Sequence, residues 1–189
     1  DGMIKVGEAN DVIIRVVGPI IMSDKEIDGV KAMQTPQWRG GINGGIWQPV
    51  RLVTSGDIYL QDVFLQTNLS ESSVSFEVSI EQSSIKSQPC NVEVTIYQGD
   101  KVIKRIDQDF ILRPGTISKK WKLNVPSPFL WSPRFPNLYT AKVIVKQSGI
   151  VSDHWETNFG FREFTIKDQD FYLNGERIYI KATFFEGLY

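Results

Sequence analysis

Six acidic residues lie in the last part of the chain: Glu156, Glu163, Asp168, Asp170, Glu176 and Glu186. Two carboxyl groups held about 5 Å apart can divide into an acid and a nucleophile, so they are the first chemistry to weigh. For most of them the pattern argues otherwise. They alternate with apolar residues or fall at turn signals, which is where a solvated strand face carries its charges. Glu186 differs, because Phe184, Phe185 and Gly187 surround it. The single histidine, His154, stands in Asp153-His154-Trp155 and reads as a surface or edge residue. One histidine and one cysteine give no zinc-ligand spacing, so no metal site is expected. Cys90 precedes the alternating Val92, Val94 and Ile96 and reads as a small buried hydrophobe rather than a nucleophile. The glycine cluster Gly40-Gly41-Ile42-Asn43-Gly44-Gly45 has no P-loop lysine and no following helix, so no nucleotide or other cofactor is expected. Asn68-Leu69-Ser70 is a formal glycosylation triplet of little weight alone.

Aromatic residues make up 12% of the chain. Most large rings are mainly buried, so core is their first reading. The second is a surface on which sugar rings stack, and Trp38 and Trp47 are the candidate substrate-binding aromatics on that reading. Lys and Arg total 21 and Asp and Glu total 22, a formal net charge of −1. Such a balance gives no general attraction for nucleic acid or an anionic membrane. No run approaches the roughly 18 apolar residues of a membrane-crossing helix. Asp1-Gly2-Met3 lacks the basic-then-apolar opening of a signal peptide. With one cysteine no internal disulfide can form, which leaves the compartment open; periplasmic or extracellular is favoured over cytoplasmic.

The element that must position everything else is an aromatic and proline corner, Pro128-Phe129-Leu130-Trp131-Ser132-Pro133-Arg134-Phe135-Pro136-Asn137-Leu138-Tyr139. Its prolines fix φ and remove backbone donors, which excludes helix and central strand. Trp131, Phe129 and Phe135 are expected to bury over one end of a sandwich. Ala141, Val143 and Val145 then alternate as a core strand, and Tyr139 at its mouth is similar to the tyrosine corner of immunoglobulin-like folds. Before the corner, alternation predicts strands through Val63 and Leu65, through Val74 to Ile80, through Val92 to Ile96, over 102–112, and through Trp121 to Val125. A last sandwich strand runs over 150–161 after the Ser148-Gly149 turn. About seven strands with turn signals every 8 to 15 residues predict an all-β, antiparallel sandwich. In the strand through Val92, Glu93 and Thr95 fall on the solvent side. Residues 12–17 read as a further buried strand, and 18–45 as a long excursion whose packing partners lie elsewhere. Near the end, Phe164-Thr165-Ile166, Phe171-Tyr172-Leu173 and Arg177-Ile178-Tyr179-Ile180 read as short strands, with Asn174-Gly175 as a hairpin turn. The apolar ending at Tyr189 leads to the expectation that the parent polypeptide continues.

Four pieces, in order, resemble glycoside hydrolase family 2, the β-galactosidases, β-glucuronidases and β-mannosidases. They are Gly44-Gly45-Ile46-Trp47-Gln48-Pro49-Val50; Leu130-Trp131-Ser132-Pro133 with Pro136-Asn137-Leu138-Tyr139; Phe159-Gly160-Phe161-Arg162; and Phe171-Tyr172-Leu173-Asn174-Gly175-Glu176-Arg177-Ile178. The resemblance implies three regions. Residues 1–55 would be the end of a sugar-binding jelly roll, 56–162 an immunoglobulin-like β-sandwich, and 163–189 a hairpin leading to a (β/α)₈ barrel not contained in these residues. The family's acid/base glutamate lies in an Asn-Glu dipeptide, which this chain lacks, so the resemblance puts both catalytic glutamates beyond Tyr189 and assigns no catalytic residue here. Lys181-Ala182-Thr183-Phe184-Phe185-Glu186-Gly187 replaces the Gly-rich, histidine-bearing segment of many members, which leaves the sugar open. On this resemblance Glu186 near the barrel mouth is a substrate-contact candidate. Arg162 is expected to make a salt bridge or carbonyl contacts at the domain junction. Two functions remain. One is a non-catalytic spacer within a retaining β-glycosidase, β-galactoside-like, whose partners are the other domains and, through them, a carbohydrate. The other is a free-standing carbohydrate- or protein-binding immunoglobulin-like module. A homo-oligomer is compatible with either.

Overall fold

The structure is a computed structural model, and it describes residues 5, 7–16, 46 and 48–182. The chain divides into two units, Asp1–Val53 and Thr54–Tyr189. All ten strands lie in the second: β1 (Ile58–Asn68), β2 (Ser73–Gln82), β3 (Gln88–Gln98), β4 (Lys101–Leu112), β5 (Gly115–Asn124), β6 (Tyr139–Gln147), β7 (Ile150–Phe159), β8 (Phe164–Lys167), β9 (Asp170–Leu173) and β10 (Glu176–Ile178). There is no helix among the described residues, and hence none long and apolar enough to cross a membrane.

Seven strands form two antiparallel sheets, β1-β2-β5 and β4-β3-β6-β7. Period-2 alternation puts Val74, Phe76, Val78 and Ile80 of one sheet and Val92, Val94, Ile96, Ala141, Val143 and Val145 of the other into a shared core, all essentially buried. Each Val, Ile or Phe so buried contributes about 1.5–3 kcal/mol of transfer free energy. The expected all-β sandwich is therefore present. Its strand order is immunoglobulin-like, with β4 on the edge of the four-stranded sheet beside β3 rather than next to β5, the constant-domain placement.

One edge is closed by the entry to β1. The Gly56 N–H donates to the Ser152 carbonyl at 2.9 Å, so the chain lies beside β7 before β1 pairs with β2. The Leu60 N–H donates to Asp153 Oδ2 at 2.8 Å where the β1–β2 register slips, between Leu60 and Asp62. A side chain thus satisfies a donor that the bulge leaves without a ladder partner.

The last three strands make a separate meander, β10-β9-β8. Asn174 and Gly175 both take positive φ, 54° and 81°, as a two-residue hairpin of the primed type requires. Phe164 pairs with Leu173, Ile166 with Phe171, and Phe171 with Ile178. Directly opposed residues share a face, so this face of the meander is largely apolar, with Glu176, opposite Leu173, as its charged member.

Three expectations fail. Of residues 12–17, expected as a strand, the described 12–16 form none and are exposed, Ile13 to 92%. A β-branched run becomes a strand only when a neighbour accepts its backbone bonds, and no strand pairing of this run is present among the described residues. Phe129 and Phe135 are not buried but 59% and 60% exposed; the prolines hold the corner outside the sandwich instead of folding its rings under it. Glu93 and Thr95, expected on the solvent side, are 7% and 1% exposed. The excursion over 18–45 and the glycine cluster fall outside the described residues.

Candidate functional site

The corner is held by hydrogen bonds from three directions. The Tyr139 hydroxyl at the start of β6 accepts from the Phe129 N–H at 2.9 Å, the tyrosine-corner contact. Asn137 Nδ2 donates to the Leu130 carbonyl at 2.9 Å. The Trp131 N–H donates to the Phe161 carbonyl at 2.8 Å, beside a bridge between Leu130 and Phe161. Within the corner the Ser132 N–H donates to the Phe135 carbonyl at 2.9 Å. Beneath it Tyr139, Phe159 and Phe161 form a buried aromatic triad, with Tyr139 and Phe161 edge to face at 5.3 Å.

Phe159-Gly160-Phe161-Arg162 threads through this corner. A Cβ at Gly160 would lie 2.7 Å from the Trp131 Cβ, closer than side chains approach. Glycine is what lets the indole lie on this backbone. On Trp131 sits the Arg162 guanidinium, 4.6 Å from the ring centroid, a cation–π stack. The meander is tied to the same place. Asn174 Nδ2 donates to the Trp131 carbonyl at 2.9 Å. The Asn174 N–H donates to the Glu163 carbonyl at 2.8 Å, and the Glu163 N–H donates to Asn174 Oδ1 at 3.0 Å. One asparagine therefore joins the corner, the sandwich exit and the hairpin. Beside the stack is a cleft of about 330 Å³ lined by Leu65, Thr67, Leu138, Asn158 and Phe159 with Trp131 and Arg162.

The described carboxylates do not pair with one another. Glu156 faces Lys142 at 3.5 Å and Asp170 faces Arg177 at 2.7 Å; Glu163, Asp168 and Glu176 are exposed. The Asp170 carboxylate, by hydrogen bond and charge, raises the already high pKa of Arg177. His154 is exposed, as expected of a surface residue. Burial, and then the charge of Asp109, push the Cys90 thiol up to about 11, so it carries almost no thiolate near neutrality and is a poor nucleophile. Among the described residues no group of three or more His, Cys, Asp or Glu side chains is placed to hold a metal ion. Trp38, Trp47 and Glu186, the substrate-binding candidates, lie outside the described residues.

The sequence signal missed two features. Glu93 is nearly buried on the outer face of the four-stranded sheet, 2.8 Å from Arg105 and 3.0 Å from Lys146, with Thr95 donating to it at 3.2 Å. No alternation rule could find it, because long side chains from β4 and β6 cover a face that the period assigns to solvent. The other is Arg162. It was singled out for its junction position, yet it stacks on Trp131 and makes no ion pair with any described residue.

A protein-family model described as "Glycosyl hydrolases family 2" matches residues 58–162, the sandwich and its exit. A putative beta-glucuronidase of Formosa agariphila is 29% identical over 187 residues, covering 95% of this chain and 21% of that protein. A beta-galactosidase of Thermoanaerobacterium thermosulfurigenes is 26% identical over 165 residues, covering 82% and 23%. Among solved structures, a Bacteroides uniformis beta-glucuronidase superposes with TM-score 0.60 at 21% identity over 65% of this chain and 16% of that one, which shows a shared fold. The chain thus spans about a fifth of the length of the curated relatives it matches.

Proposed function

Because the chain belongs to the glycosyl hydrolases of family 2, we propose that its sandwich is a non-catalytic spacer within a retaining β-glycosidase. Residues 1–55 belong to a sugar-binding jelly roll, 56–162 to the sandwich, and 163–189 to the lead into a catalytic barrel. The enzyme's substrate is a terminal β-glycoside, of the β-galactoside or β-glucuronide kind that the relatives' names carry. Catalysis in such an enzyme needs an acid and a nucleophile carboxyl about 5 Å apart, and here Glu156 and Asp170 each neutralise a cation instead.

The observation that carries this reading is the hydrogen-bonded junction at Trp131. A spacer must fix the direction in which the chain leaves it. Asn174 does so with bonds to the corner and to the sandwich exit at once. Trp38 and Trp47, as aromatic faces on which sugar can stack, and Glu186, near the barrel mouth that the family resemblance implies, are proposed as its sugar-contacting residues. Incubation of the chain with nitrophenyl β-galactoside and β-glucuronide is expected to release no nitrophenol above buffer. Turnover that survives repurification would refute the spacer role.

A further inference from the structure

Arg162 presents a guanidinium held in place by a ring, with no acceptor for its N–H groups among the described residues. It is exposed, lies 4.6 Å over the Trp131 ring, and has no hydrogen-bond acceptor or carboxylate partner among the described residues. Trp131 is itself held: its N–H and carbonyl are both hydrogen-bonded, and Gly160 packs against its Cβ. The stack orders the guanidinium in advance, so less side-chain entropy is lost when its planar fork meets an acceptor. The surroundings are mixed, apolar and polar together. Leu130 and Leu138 are exposed, and Leu138, Leu65 and Phe159 line the adjoining cleft with only Thr67 and Asn158 as polar neighbours.

We infer that the Trp131–Arg162 stack is the anchor of a protein-docking surface, whose occupant is an Asp or Glu side chain set among apolar residues on an adjoining domain. This rests on the spacer role proposed above. The planar fork selects a carboxylate, which it can bind through two parallel hydrogen bonds. The exposed Leu130 and Leu138 beside the fork suit a protein surface, whose apolar side chains can cover them while a carboxylate takes the guanidinium. Trp and Arg are also the residue types that dominate binding energy at protein interfaces.

The test uses the 189-residue chain and follows the arginine Nε–H and tryptophan Nε1–H resonances by NMR. Three probes are titrated to concentrations on the order of tens of millimolar, the range that weak single-site ligands require: 3-phenylpropionate, its uncharged amide, and glucuronate. The expected result is a saturating shift of the Arg162 and Trp131 signals with 3-phenylpropionate, about tenfold tighter than with either other probe, as a charge-assisted bidentate contact beside an apolar rim predicts. Arg162→Gln, whose backbone amide spectrum should otherwise match the parent's, is expected to abolish it. Trp131→Phe, which keeps a ring, is expected to weaken it several-fold. No saturating shift, an equal response to the amide, or retained binding in Arg162→Gln overturns the inference. Preference for glucuronate overturns it too and makes the cleft a sugar subsite. None of these outcomes bears on the spacer role, which stands or falls on turnover of nitrophenyl glycosides.

Discussion

Gly160 carries the tightest steric demand at the junction. A methyl there must displace the Trp131 Cβ and Cγ, at 2.7 and 3.0 Å, and Trp131 cannot retreat because both its backbone polar groups are bonded. Gly160→Ala is therefore expected to destabilise the sandwich by about 1–3 kcal/mol, the usual cost of overpacking a fixed contact. Denaturant unfolding measures it. Trp131→Ala in the same molecule should recover part of the loss, because the clash partner is gone; purely additive losses would mean the contact is not what constrains residue 160. At this scale the sequence was partly legible. Cys90 could be read as inert from its alternating neighbours, and His154 as a surface residue. Glu93 could not, because its burial comes from Arg105 and Lys146 on two different neighbouring strands, and a single strand's pattern carries no record of them.

Strand elements were legible where two sheets impose a buried and an open face, which is why alternation marked β2 and β6 almost residue for residue. They were illegible where pairing decides, as at 12–16, where an apolar run takes up no strand pairing among the described residues and stays exposed. The tyrosine corner was readable because proline, aromatic and alternation signals coincide within one stretch. Tyr139→Phe keeps the ring in its aromatic triad and removes only the acceptor for the Phe129 N–H. The expected loss is about 0.5–1.5 kcal/mol, read as a lower unfolding midpoint with an unchanged m-value. A second expectation concerns the outer face of β3 and β4. The Asn91 amide, and then the Arg105 guanidinium at 3.3 Å, hold the Asp107 carboxyl below its ordinary value of 3.8. A folded-state pKa below the unfolded one means the ionised carboxylate stabilises the native state above the unfolded value. That gain is lost as pH falls through the folded value. Asp107→Asn should therefore lower the melting temperature slightly near neutrality. The gap to the parent protein should close as pH is lowered from about 5 to about 2. A gap that widened in acid would show that this carboxylate is not stabilised by its neighbours.

Across the second unit as a whole, what stands out is apolar surface placed where the chain is most rigidly held. Phe129, Phe135 and Leu138 of the corner are exposed, and so are Phe164 and Ile166 of the meander, Ile166 to 67%. Neither set is loose. The corner is bonded to β6 and to the sandwich exit, and the Phe164 and Phe171 rings stack at 5.7 Å. Ordered apolar faces of this kind mark interaction surfaces, as a piece that spans about a fifth of its relatives' length would present. By itself in solution the chain should then associate through the meander face. Sedimentation velocity of the 189-residue chain is expected to show self-association that grows with concentration. Phe164→Ser combined with Ile166→Thr should suppress it. The unfolding free energy of the sandwich should change by no more than about 0.5 kcal/mol, as expected for exposed positions outside its core. A chain that stays monomeric at every concentration, or a double variant that unfolds the sandwich, would mean this face serves the fold itself and not a neighbour.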